Sequence, residues 1–231
     1  MLTLYWHPLS GHAHRAHLLL SFLDVEFTLV PVDLPAGEHR QPAFLALNPF
    51  GQIPVLVDGE TVIADSNAIL VYLASVYDTQ QQWLPPCPIK RAHIEQFLSL
   101  AAHRLAGSLA KLRAANVFHR PIKDDSLRQD ALTLMTQLEG YLAGRRWLVG
   151  PTPTLADLAL YTYTKLAPEA GLDLQDYPAL TSWLARIEAL PGFVPMTLSD
   201  GGLRQSKPPT LQQAKVDLAG GVSGLGLPSS T

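Results

Sequence analysis

A chain of 231 residues, 47% of them hydrophobic, is long enough for one large domain or two small ones around a sizeable core. A formal net charge of −3 gives no basic footprint for nucleic acid or anionic lipid, and no run approaches the roughly 18 apolar residues a membrane-spanning helix needs. The single cysteine, Cys87, excludes an internal disulfide, and the N-terminus lacks a basic leader, so a cytoplasmic protein is expected.

Residues 2–6 read as a short strand, followed by the turn His7-Pro8-Leu9-Ser10-Gly11 and a helix to residue 23. A second strand covers 27–32, and an extended link leads to Asn48-Pro49-Phe50-Gly51-Gln52, a turn signal. Ile53-Pro54-Val55-Leu56-Val57 then reads as a buried strand with a proline among its first residues. Proline has no N–H for a ladder and belongs at a strand start, an edge or a bulge. Either a trans proline opens an edge strand, or a cis Ile53-Pro54 bond turns the backbone N–H and C=O of Ile53 outward, free to pair with an extended peptide. Spacing leaves both open. Residues 61–64 form another strand, and Asp65-Ser66 before Ile69, Leu70 and Leu73 marks a helix N-terminus.

The composition breaks at 78–88, where Gln80 to Gln82 and Pro85-Pro86-Cys87-Pro88 read as a linker. Beyond it, Ile94, Phe97, Leu98, Ala101, Leu105, Leu109 and Leu112 recur at helical steps, as do Leu127, Ala131, Leu134, Met135, Leu138 and Leu142. Thr154 with Asp157 three residues on resembles a capping box opening a helix to Leu166. Another helix spans 178–190 and is stopped by Pro191-Gly192. The expected organisation is an α/β domain over 1–77, a linker over 78–88 and an all-helical domain over 89–199. Residues 200–231, with six glycines and no aromatic, read as a mobile tail, with a flap over a site mouth as the functional alternative.

The segments His7-Pro8-Leu9-Ser10, Gly37-Glu38-His39-Arg40, Asn48 to Leu56 and Asp65-Ser66-Asn67-Ala68-Ile69 resemble, in order and spacing, the glutathione-binding domain of soluble glutathione transferases. The likeness points to a bacterial, serine-type member near the phi and theta classes. Pro153-Thr154-Leu155-Ala156-Asp157-Leu158-Ala159 is similar to the capping motif of that family's helical second domain. The resemblance implies a thioredoxin-like N-terminal domain followed by an all-α helical bundle, and a cis Pro54. It makes glutathione the co-substrate and Ser10 the catalytic residue.

Glutathione is γ-Glu-Cys-Gly, so its site must hold two carboxylates and an amine while making the thiol a nucleophile. By resemblance, Ser66 and the N–H groups of its helix take the γ-glutamyl carboxylate, and Asp65 takes the α-amino group. Gln52 lies near the same end, Ile53 pairs with the cysteinyl backbone, and His39 and Arg40 hold the glycyl carboxylate. A hydroxyl donor at Ser10 and a helix N-terminus lower the thiol pKa. A fall from about 8.5 to about 6.5 raises the thiolate fraction at pH 7 by roughly 25-fold. A Brønsted coefficient near 0.45 removes about eightfold of that in nucleophilicity. The small net gain means that most of the rate must come from holding the electrophile against the sulfur.

His12 stands where many bacterial relatives have Asn, which makes it a candidate second contact at the sulfur. A metal site at His12, His14 and His17 is not expected: positions 12 and 14 lie about 200° apart on a helix, and 14 and 17 lack a third ligand. Phe50 is hard to bury locally between Pro49 and Gly51; the resemblance, in which several classes insert an aromatic residue of this loop into the helical domain of a second subunit, implies a homodimer with Phe50 as its key. The electrophile pocket is expected near Leu9, residues 100–112 and Tyr163 to Leu166, with Phe97 and Phe118 more at home in the core than lining it. The function expected is addition of glutathione to small apolar electrophiles. Peroxide reduction, isomerisation or dehalogenation on the same thiolate, and a non-catalytic interaction scaffold, are the alternatives.

Overall fold

The computed structural model describes residues 1–121 and 126–199; the tail expected over 200–231 lies outside them. Strand β1 (Leu2–Trp6) leads to helix α1 (Gly11–Phe22) and strand β2 (Phe27–Pro31). A 3₁₀ turn (Glu38–Arg40) and the short α2 (Pro42–Leu45) cross to β3 (Val55–Asp58), β4 (Thr61–Ala64) and α3 (Ser66–Val76). The sheet order is β2-β1-β3-β4, with β1 parallel to β2 and antiparallel to β3, and β3 antiparallel to β4. The N-terminal part is thus a thioredoxin-like βαβ–ββα unit. Pro54 lies just outside β3, so its missing N–H costs the ladder nothing.

Alternation of side chains divides the sheet. Leu4 and Leu56 face α1 and α3, while Tyr5 and Val55 face a smaller cluster with Val32 and Phe44. The helical part opens with α4 (Pro88–Leu100), which runs through a π-helical stretch (Ala101–Ala110) into α5 (Lys111–Val117). The periodicity over 94–112 therefore marks only the middle of one long helical rod. Helices α6 (Ser126–Leu142), α7 (Leu155–Lys165) and α8 (Pro178–Glu188) complete the bundle, with a 3₁₀ turn (Ala167–Ala170) after α7.

Helix α7 is buried along nearly its whole length. Its Asp157, fully buried, accepts from the backbone N–H of Thr154 (2.8 Å) and of Leu148 (3.0 Å) and from the Trp183 indole (2.9 Å). Burial pushes its carboxyl pKa up against the pull of those donors. One continuous core runs from Leu2 through α1, α3, α4 and α7 to Ile187. Phe97 belongs to it, but Phe118 does not: it is 42% exposed, with the Arg120 guanidinium 5.4 Å from its ring.

Candidate active site

The turn between β1 and α1 is closed locally by the Ser10 N–H on the His7 carbonyl (2.9 Å) and the Leu9 N–H on His7 Nδ1 (3.1 Å). Ser10 is the N-cap of α1, its Oγ accepting from the Ala13 N–H at 3.2 Å. An accepting hydroxyl still has its hydrogen to donate, so capping and donation to a thiolate are compatible at this residue.

The next residue must be glycine. A Cβ on Gly11 would sit 2.7 Å from Cζ of Tyr163. The first turn of α1 therefore lies flat on a ring supplied by α7, and the His12 imidazole packs edge-on against the same ring at 5.0 Å. His12 Nδ1 lies 3.3 Å from Ser66 Oγ, which joins the N-termini of α1 and α3. Burial, reinforced by the Arg15 charge, pushes His12 down to about 3, so the ring is neutral at physiological pH. Tyr163 is raised by burial, against the opposing charges of Arg15 and Arg113.

Asp65 caps α3 from an unusual backbone position, φ +77°. Its Oδ1 accepts from the N–H groups of Asn67 (2.8 Å) and Ala68 (3.0 Å), while Oδ2 of this exposed residue makes no hydrogen bond among the described residues. The expectation that the α3 N-terminus as a whole serves a ligand carboxylate is narrowed by this. Two of its N–H groups already have a partner, so the N–H and hydroxyl of Ser66 are what it can offer. Behind them lies Arg15, 1% exposed, whose Nη1 donates to Asn67 Oδ1 at 2.9 Å. Its Nε and Nη2 are buried without a hydrogen bond among the described residues, the guanidinium carbon lying 6.0 Å from the Tyr163 ring. Burial pulls Arg15 down to about 10, so it keeps its charge.

Asn48 builds the loop before Pro54: its Nδ2 donates to the Gln52 carbonyl (2.8 Å) and its Oδ1 accepts from the Phe50 N–H (3.1 Å). The Ile53-Pro54 bond is cis. Neither the N–H nor the C=O of Ile53 is paired among the described residues. Gly51, at φ +59°, approaches so closely that a Cβ there would lie 2.9 Å from the His39 carbonyl, which puts the 38–40 turn beside the loop. The structure thus brings Ser10, His12 and Ser66 together, and His39 together with the 48–52 loop. Arg40 and Gln52 are exposed, and their side chains make no hydrogen bond or ion pair among the described residues.

The other histidines of α1 are structural. His14 is buried between Thr162 Oγ1 (3.0 Å) and the Val194 carbonyl (2.8 Å), which occupies both ring nitrogens. Burial holds it at about 4. Among the described residues no group of three or more His, Cys, Asp or Glu is arranged for a metal ion. Tyr163 and Leu166, expected to line an electrophile pocket, are both buried. No helix of the described residues is long and apolar enough to cross a membrane.

Sequence reasoning missed Arg15, Asn48 and the pair Arg113 and Glu169. Arg15 left little trace, since it stands between two histidines, His14 and His17, ahead of the apolar Leu18 to Leu20. Asn48 was visible as an Asx-turn residue before Pro49. Arg113 and Glu169, 56 positions apart, left none.

Residues 1–75 match the family model described as glutathione S-transferase, N-terminal domain, and residues 111–191 the one described as glutathione S-transferase, C-terminal domain. Glutathione S-transferase 3 of Zea mays is 34% identical over 203 residues, covering 83% of this chain and 91% of the relative. Glutathione S-transferase 2 of Anopheles gambiae is 30% identical over 194 residues, covering 83% and 93%. The crystal structure of a glutathione S-transferase from Xanthobacter autotrophicus Py2 superposes with a TM-score of 0.79 at 32% identity, covering 85% of this chain and 97% of that one. With both halves matched and the relatives aligned over most of their length, the chain belongs to the glutathione S-transferase family.

Proposed function

We propose that this transferase binds glutathione across the N-termini of α1 and α3, lowers its thiol pKa through the Ser10 hydroxyl, and adds the sulfur to a small apolar electrophile. The observation that carries the reading is the geometry of Ser10. Its oxygen caps α1, its hydrogen is available to donate, and the helix beneath it points its positive end at the same place.

The roles proposed for the remaining residues follow the donors and acceptors on offer. Ser66 receives the γ-glutamyl carboxylate through its N–H and hydroxyl, and Asp65 Oδ2 accepts from the α-amino group. The unpaired backbone of Ile53 takes the cysteinyl unit, with Gln52 and Pro54 shaping the loop. His39 and Arg40 face the glycyl carboxylate. His12, neutral and bonded to Ser66, acts as a spacer between the two helix ends and reaches the sulfur only as a hydrogen-bond partner. A homodimer is part of the proposal, with Phe50 as its key, since that ring is 80% exposed between two turn residues.

The test is the ultraviolet absorbance of bound glutathione thiolate against pH. The expected result is a wild-type thiol pKa well below the free value, about 8.5 for an ordinary thiol, and a return towards it in Ser10→Ala. Bound glutathione with an unshifted thiol would leave Ser10 as a cap only.

A further inference from the structure

Ser10 is held from two sides. The local bonds to His7 belong to the N-terminal part, but the Leu9 carbonyl accepts from Nη1 of Arg113, on α5, at 2.8 Å. The Leu9–Ser10 peptide is planar, so fixing that carbonyl fixes the plane from which Ser10 Cα and its hydroxyl depart. Arg113 is 3% exposed, and its Nε donates to Glu169 Oε2 at 2.6 Å in a buried ion pair. The other carboxylate oxygen, Oε1, accepts from the N–H (2.7 Å) and hydroxyl (2.9 Å) of Ser199, and Asn116 Nδ2 donates to the Glu169 carbonyl at 3.1 Å. A single guanidinium fork thus ties the Ser10 turn to the turn after α7 and to residue 199.

We propose that Arg113 is a positioning residue for the transferase reaction: with Glu169 it sets where the Ser10 hydroxyl stands relative to the bound sulfur. The inference rests on the Ser10 reading above. Because Glu169 neutralises it, Arg113 acts through geometry more than through its field. The planar fork keeps Nε and Nη1 at a fixed angle, so the carboxylate end determines where the donor to Leu9 points. An ammonium keeps the charge against Glu169 but cannot hold both directions. Removing the charge alone would leave Glu169 buried and unpaired, which is strongly destabilising and would mask any catalytic effect.

The experiment compares wild type, Ser10→Ala, Arg113→Lys and the double variant Arg113→Gln/Glu169→Gln. The readouts are bound-thiol pKa, kcat and KM for glutathione with a nitroaryl halide, and urea unfolding. Arg113→Lys is expected to keep KM for glutathione within about twofold while kcat falls about tenfold and the bound-thiol pKa rises, the pattern of lost alignment. Should Arg113→Lys fail to fold, the double variant, which removes both charges, is expected to show the same split. A pKa shift in Ser10→Ala with none in the folded Arg113 variants, and their kcat at the wild-type level, overturns this inference and leaves the Ser10 reading standing. No shift in Ser10→Ala overturns both.

Discussion

At Gly11 and His14 the consequences of single residues can be worked out. A methyl at Gly11 meets the ring of Tyr163, which is itself buried and would have to shift. Gly11→Ala is expected to cost about 1–3 kcal/mol, the usual range for overpacking, and to raise the bound-thiol pKa because Ser10 moves with it. Urea unfolding and the thiolate titration measure the two effects separately. His14 makes stability depend on acid. Its folded pKa, about 4, is below the unfolded value near 6.5, so between those pH values the unfolded chain holds a proton that the folded chain does not. Stability is therefore unaffected by this group above about pH 6.5 and declines by up to about 1.4 kcal/mol per pH unit as pH falls toward 4. His12 acts in the same direction. His14→Asn should flatten part of the decline, and an unchanged slope would show that other groups cause it.

Among the elements, those with local signals were legible and those assembled over distance were not. The start of strand β1 follows from alternation, and the starts of α1 and α3 from Ser10 and Asp65 as caps. The Thr154 and Asp157 spacing foretold the start of α7. It did not foretell that the same carboxylate would also hold Leu148 and Trp183, since that needs α8 folded alongside. Asp157→Ala would strand four buried donors at once, the Thr154 hydroxyl at 3.3 Å among them. A loss of about 3–5 kcal/mol in urea unfolding is expected, with Asp157→Asn falling between it and wild type. Within the stretch 78–88, whose glutamines and prolines read as a linker, Trp83 and Leu84 are nevertheless buried. Composition averages over a stretch, whereas burial is decided by each side chain. At the site, single caps such as Ser10 could be read, while the residues that hold them, Arg113 and Glu169, could not, because a buried ion pair 56 positions apart has no periodicity.

For the molecule as a whole, assembly and unfolding are the measurable properties. Phe50 is 80% exposed, and a groove of about 630 Å³ between α3 and α4 is lined by Ile63, Val71, Leu98 and Ala102. Sedimentation is expected to give twice the chain mass for wild type and a monomer for Phe50→Glu; a monomeric wild type would end the homodimer expectation. Trp83, stacked on Phe22 at 5.2 Å, accepts at its carbonyl from the Leu155 N–H at 3.0 Å, which fastens the linker to α1 and to α7. Since the core also continues through both halves, heat or urea should melt them in a single transition, and residues 1–77 alone should give none. A protease that nicks the chain within 78–88 would then release no fragment. The two pieces would stay clasped by shared side chains, so the cut would separate them only after the fold itself had been undone.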